Sequence, residues 1–202
     1  MSERNLHNLS LATVLPKSVR GIVENSYDIE ILNCSAIFSG DNDFYLIETF
    51  QESLVARVGC SPRPWLTSWK EYDFEMELLN FLENGGIKAV SPIRKKDGGY
   101  VEKIEINEVE RPLALFHFIN GKRKDELSDA ESYKYGKAVA NMHRGTEPFR
   151  SVWPRFETDL DFLIRNPLDY IQELWSDEKK NEVDFLVNAG GTISMSIDSI
   201  LK

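Results

Sequence analysis

SGDNDFYLIETFQESLVARVGCSPRPWLTSWKEYDFEMELLNFLENGG, residues 39–86, is the stretch whose reading decides the fold of this chain. Two runs in it, SGDNDFYLIE (39–48) and SLVARVG (53–59), carry strand-like alternation and are joined by a short turn. The run EYDFEMELLNFLENGG (71–86) instead repeats apolar residues at helical spacing and stops at Gly85-Gly86. Strand, turn, strand and helix in this order put Arg57 near the end of the second strand and Glu75 inside the helix.

Each helical residue advances about 100° around the axis, so the helix can be tested for which acid faces the strands. Phe74, Leu78, Phe81 and Leu82 form one apolar stripe, with Leu79 at its edge. Glu75 falls within roughly 50° of the stripe's centre, whereas Glu77 lies more than about 100° away. A carboxylate on a buried face is costly unless paired, and Arg57 is the expected partner. On spacing alone, two unrelated surface charges remain the alternative.

Outward from this unit, a helix is expected from Pro16 to Glu24, because proline suits a first turn and Val19, Ile22 and Val23 share a face. A strand should follow over Ile29–Phe38, and Ser39-Gly40-Asp41-Asn42 reads as the turn after it. CSPRPWLTSW (60–69) is an irregular connection whose Trp65 and Trp69 are expected to pack onto the lobe these strands form, with cover of a ligand site as the alternative. Asp97-Gly98-Gly99 signals a hairpin between strands at Ser91–Arg94 and Tyr100–Ile106, and the apolar run Pro112–Phe118 a central strand. Ser128-Asp129-Ala130-Glu131 matches a capping box opening a helix to about His143, with Tyr135, Ala138, Val139 and Met142 toward a core. Short helices follow from Thr158, with breaks at Asn166-Pro167 and Ser176-Asp177, and Asp159 and Asp161 are expected in solvated or capping roles. The last helix carries an apolar stripe of Val183, Leu186, Val187, Gly190, Ile193, Ile197, Ile200 and Leu201.

With 42% hydrophobic residues the chain can build cores for one domain or two small lobes. A net charge of -9 argues against nucleic acid or an anionic membrane as a partner and leaves room for a cationic substrate. The polar start MSERNLHNLS and the lack of any apolar run near the ~20 residues that span a bilayer lead us to expect a cytoplasmic protein. Cys34 and Cys60 lack metal-ligand spacing and are expected to be reduced thiols.

The strand-turn-strand-helix unit, the IKAVSPIRKKDGGY hairpin, the strand RPLALFHFING and the helix ending AVANMHR together resemble the phosphotransferases related to homoserine, choline and aminoglycoside kinases. The resemblance runs from roughly residue 14 to 200. It implies an α+β, protein-kinase-like fold: an N-terminal lobe (1–119) of a five-stranded antiparallel sheet with one packed helix, then an incomplete, mainly helical C-terminal lobe (120–202). It implies ATP and Mg2+ as cofactors and a small hydroxyl-bearing acceptor. Arg57 stands where the family often carries Lys, and with Glu75 it would orient the ATP phosphates. Ser39 and Gly40 would lie over those phosphates. His117, Phe118 and Ile119 mark the hinge, where backbone groups would read the adenine edge, and Gly121 lets the chain turn away. The side chains of His117 and His143 are expected to be structural, His143 because a histidine suits a helix carboxyl end.

The family's catalytic loop is a His-Gly-Asp type motif with an Asn a few residues on, followed by a metal-binding Asp. None of His7, His117 and His143 is followed by an acid two positions later. No catalytic residue and no metal ligand is therefore assigned, and the sequence is expected to be truncated before that loop and inactive by itself. The last helix would then expose its stripe, favouring self-association or a partner. A non-catalytic nucleotide-binding or interaction module is the alternative, and an unrelated α+β protein a third reading.

Overall fold

A computed structural model describes residues 14–40, 42–59, 68–106, 108–122, 124–175 and 179–200. The chain divides into two compact units, one ending at Arg155 and the other beginning at Phe156.

The first unit opens with α1 (Pro16–Ser26), whose proline sits in the first turn and whose Val19 and Val23 are buried. Five strands follow: β1 (Asn33–Phe38), β2 (Asn42–Glu48), β3 (Ser53–Gly59), β4 (Val101–Ile106) and β5 (Val109–His117). They form one antiparallel sheet in the order β1-β2-β3-β5-β4. Between β3 and β4 runs α2 (Lys70–Asn84), ended by Gly85 and by Gly86 at φ 74, a left-handed conformation that suits glycine.

Alternate residues of the strands go to opposite faces. Tyr45, Ile47, Leu54, Ala56, Val58, Leu113 and Leu115 pack with Val19, Val23 and Tyr27 of the α1 segment as the main core. Fully burying an aliphatic or aromatic side chain of this kind stabilises by about 1.5–3 kcal/mol, so this face carries most of the unit's stability. The two core tyrosines keep their hydroxyls satisfied: Tyr27 donates to the Tyr100 carbonyl at 2.8 Å and Tyr45 to the Val14 carbonyl at 2.6 Å. On the other face Met76 of α2 packs on Ala114 and Phe116, with Leu79, Tyr100 and Val101 around them.

Several sequence expectations are corrected. Residues 91–94 form no strand but a single bridge, Pro92 to Phe116, because proline has no N–H to extend a ladder. The five strands are the other expected ones, and β5, expected at Pro112–Phe118, reaches back to Val109 through a turn in which Glu108 takes φ 66, so Arg111 lies inside the sheet. β1 begins at Asn33 rather than Ile29, since the Arg20 guanidinium holds the Ile31 carbonyl out of the ladder.

The helix α3 (Asp129–Thr146) starts where the capping box places it, with the Glu131 carboxylate accepting from the Ser128 N–H at 3.1 Å. No residue of α3 is buried, and Tyr135 and Met142 are exposed rather than facing a core. The helix approaches the end of α2 through Gly145 instead, where an added Cβ would run into the Ile87 side chain.

In the second unit a π turn (Asp161–Arg165) passes directly into α4 (Asn166–Trp175), and α5 (Lys180–Ile200) follows. The expected break at Asn166-Pro167 is thus a wide turn that accommodates a proline lacking its N–H. Asp159 caps this start, accepting from the Phe162 N–H at 2.8 Å, and Asp161 pairs with Arg165. Val183, Gly190 and Ser194 are the buried residues of α5, while Leu186, Ile193 and Ile200 of the expected stripe are exposed. Among the described residues no helix is long and apolar enough to cross a membrane.

Candidate functional site

Antiparallel pairing sets Arg57 between Phe44 on β2 and Ala114 on β5. Its side chain lies on the face opposite α1, and α2 brings Glu75 to it. The contact is a fork: Arg57 Nη1 donates to Glu75 Oε1 and Nη2 to Oε2, both at 2.7 Å. The guanidinium also lies over the Phe116 ring, 5.1 Å from its centroid. Side-chain exposures of 19% and 34% make this a part-buried pair that water still reaches, and such a pair contributes about 1 kcal/mol. Stability alone therefore gives little reason to aim both charges so closely.

The arc of α2 that meets the sheet is not the expected stripe of Phe74, Leu78, Phe81 and Leu82. Leu79 and Tyr72 lie within about 60° of Glu75, and with Met76 they make the arc that meets the sheet. Phe74 and Phe81 lie on the other flank and pack on Phe149, with ring centroids 5.5 and 5.1 Å away. Glu77 belongs to that flank and accepts a hydrogen bond from the Ser151 hydroxyl. The apolar residues of α2 thus serve two neighbours, and Glu75 sits toward one edge of the sheet-facing arc.

The surroundings of Arg57 differ from the sealed α1 side. Along β2 and β3, Tyr45, Ile47, Leu54, Ala56 and Val58 are buried, but the alternate residues Phe44, Leu46, Val55 and Arg57 are only half-buried. An apolar strip therefore runs across two strands without full cover, with a cation at its end.

At that same end of β2 and β3 lies a network that sequence reading missed. The Asp43 carboxylate and the Arg111 guanidinium meet at 2.9 Å with side-chain exposures of 4% and 1%. Arg111 Nε also donates to the Gly59 carbonyl at 2.8 Å, tying β5 to the end of β3. The Ser39 hydroxyl donates to the other Asp43 oxygen at 2.6 Å, and the Gly40 N–H to the Asn42 carbonyl at 3.2 Å. With its proton held by Asp43, the Ser39 hydroxyl acts as a strut between the two sides of the β1–β2 turn. Asp41 lies outside the described residues. The overlooked signal was a charged residue directly before Pro112, in a run otherwise fit for a buried strand.

Of the hinge residues, His117 pairs with Leu54 and so shares the α1 face. Its Nδ1 lies 2.8 Å from Glu52 Oε2, a carboxylate partner brought from the β2–β3 turn that sequence proximity did not suggest. The backbone N–H groups of His117 and Phe118 donate to the Ser91 and Ser53 carbonyls at 3.1 and 3.2 Å. Ile119 is the first hinge position whose N–H makes no hydrogen bond among the described residues.

A cavity of about 670 Å³ opens on the α1 side, lined by Tyr27, Phe50 and His117 among others. Although roomy, it is separate from Arg57, and Glu24, Asp28, Glu30 and Glu52 outnumber its Lys96 and His117. That balance disfavours a phosphate-bearing ligand. Among the described residues no group of three or more His, Cys, Asp or Glu side chains comes together to hold a metal ion. No Mg2+ ligand is assigned among the described residues. Trp69 packs at a tilt against Tyr72 and lies under Lys103 Nζ, a packing role, and burial pushes the Cys34 thiol up and away from reactivity. Trp65 and Cys60 lie outside the described residues.

Solved structures of small-molecule phosphotransferases share the architecture. An aminopropanol kinase associated with a microcompartment matches at TM-score 0.59 and 20% identity, over 74% of this chain and 47% of its own. An amicoumacin kinase in complex with AMP-PNP and Ca2+ matches at TM-score 0.59 and 14% identity, over 88% and 48%. A spectinomycin phosphotransferase in complex with ADP and spectinomycin matches at 0.51 and 15%, over 93% and 57%. The fold is therefore the α+β, kinase-like fold that these phosphotransferases share, with its sheet in the N-terminal part.

In sequence, the chain is 31% identical over 162 residues to an uncharacterized protein of Synechocystis and 24% identical over 166 residues to one of Deinococcus radiodurans. It covers 44% and 46% of those proteins, so it spans a little under half the length of the curated relatives it matches. No family model matches the chain.

Proposed function

We propose that this chain forms the ATP-holding part of a small-molecule phosphotransferase, with the nucleotide on the Arg57 face of the sheet. The observation that carries the reading is the forked Arg57–Glu75 pair at the end of a half-covered apolar strip. Arg57 has five N–H donors, and the fork to Glu75 engages two nitrogens from one side. The remaining donors suit phosphate oxygens, and Glu75 fixes the guanidinium plane so that little freedom is lost when they bind. The adenine ring would lie against Leu46 and Val55, with its edge met by backbone groups at Ile119. Likeness in fold to kinases solved with AMP-PNP or ADP supports the choice of nucleotide.

In the whole protein, the γ-phosphoryl group of ATP would pass to the hydroxyl of a small metabolite or aminoglycoside. No residue of this chain is given the role of base or metal ligand, and no step is routed through a metal. The test is thermal unfolding with and without MgATP. MgATP raises the melting temperature by mass action, and Arg57→Ala removes most of that rise. No rise for the unmutated chain contradicts the reading.

A further inference from the structure

We infer that the buried Asp43–Arg111 pair is a positioning device that holds the β1–β2 turn for the phosphate end of the nucleotide; this rests on the ATP reading above. Three facts carry it. The pair is almost wholly removed from water, at 4% and 1% side-chain exposure, in a sheet whose other interior positions are apolar. Such a pair gains little over apolar residues of the same volume, so its presence needs a reason other than stability. Its bonds converge on one place: Arg111 holds the Gly59 carbonyl two residues past Arg57, and Asp43 holds the Ser39 hydroxyl across the turn.

The electrostatics fit that role. A bare carboxylate beside the turn would repel phosphate, and the guanidinium at 2.9 Å cancels its charge where solvent does not screen it. Asp43 is thereby free to act as a neutralised acceptor for Ser39. The serine proton points into the protein, so Ser39 closes the turn and is a positioning residue, not a phosphate ligand. One rigid assembly then fixes the spacing between the turn and Arg57, the two elements placed nearest the phosphates.

Isothermal titration calorimetry of MgATP and of adenosine separates phosphate-end effects from the rest. The unmutated chain binds MgATP more tightly than adenosine. Ser39→Ala weakens MgATP about tenfold, the scale of one lost hydrogen bond, and leaves adenosine unchanged. The paired variant Asp43→Leu/Arg111→Met keeps the core filled and produces the same selective loss, and adding Ser39→Ala to it costs nothing more. Ser39→Thr restores binding. An unchanged MgATP-to-adenosine ratio in Ser39→Ala overturns the inference while leaving the ATP reading intact, as do equal losses for both compounds or additive losses in the triple variant. Should the paired variant not fold, Ser39→Ala and Ser39→Thr decide by themselves. Binding of neither compound by the unmutated chain overturns the ATP reading and this inference together.

Discussion

Neighbouring residues of β2 and β3 build the two faces of the sheet, yet one face is sealed and the other is half open. Under α1, Tyr45, Ile47, Leu54, Ala56 and Val58 are buried among aliphatic side chains. Across the same backbone, Phe44, Leu46, Val55 and Arg57 keep part of their surface, and α2 covers only the end near Met76 and Phe116. The α1 face holds the fold together. The other carries a charge pair of small energetic value in a fixed geometry, which is the mark of a surface kept for something else.

If that contrast is right, substitutions should sort by face. The largest effect is expected for Asp43→Ala, which strands the Arg111 charge in a dry interior and costs about 3–5 kcal/mol in urea unfolding. Next comes Leu113→Ala on the sealed face, where the loss of a fully buried side chain costs about 3 kcal/mol. Its counterpart on the open face, Leu46→Ala, should cost less, about 1–2 kcal/mol, since a leucine that already keeps part of its surface in water has less apolar burial to lose. Equal costs at Leu113 and Leu46 would break the comparison.

A further test uses pH. Burial in the sealed core pushes the Tyr45 hydroxyl up to about 12 and raises Tyr27 as well. Both groups hold their protons more tightly folded than unfolded, so their stabilisation is complete below pH ~10, the ordinary tyrosine value, and is lost as pH rises toward 12. Melting temperature should fall across that window, and Tyr45→Phe should fall less steeply there. The smallest effect on stability is expected for Arg57→Ala, under about 1 kcal/mol. A much larger loss would make the pair structural.

Much of this contrast was legible in the sequence. Period-two alternation in DFYLIE and SLVARVG marks two unlike faces, and helical spacing brings Glu75 rather than Glu77 to Arg57. The apolar stripe of α2 was harder to read, because Phe74 and Phe81 serve Phe149 while Tyr72 and Met76 serve the sheet. A helix with two neighbours has no single stripe for a wheel to find. Arg111, Asp43 and Glu52 escaped for another reason. Their partners lie 65 to 68 residues away and meet only through strand pairing, which local spacing does not encode. Ser39 was visible as a turn residue, but the direction of its proton depends on Asp43 being buried and paired. The exposed positions of α3 likewise follow from Gly145 carrying the helix contact, which a search for apolar spacing overlooks.

The measurement that tests the central claim most directly is photolabelling with 8-azido-ATP, followed by peptide mapping. The label should enter peptides from β2, β3 and the Phe118–Ile119 segment, be blocked by excess ATP, and be lost in Arg57→Ala. Labelling confined to Glu24–Glu30 or Thr49–Glu52, which line the acidic cavity on the α1 side, would contradict the account.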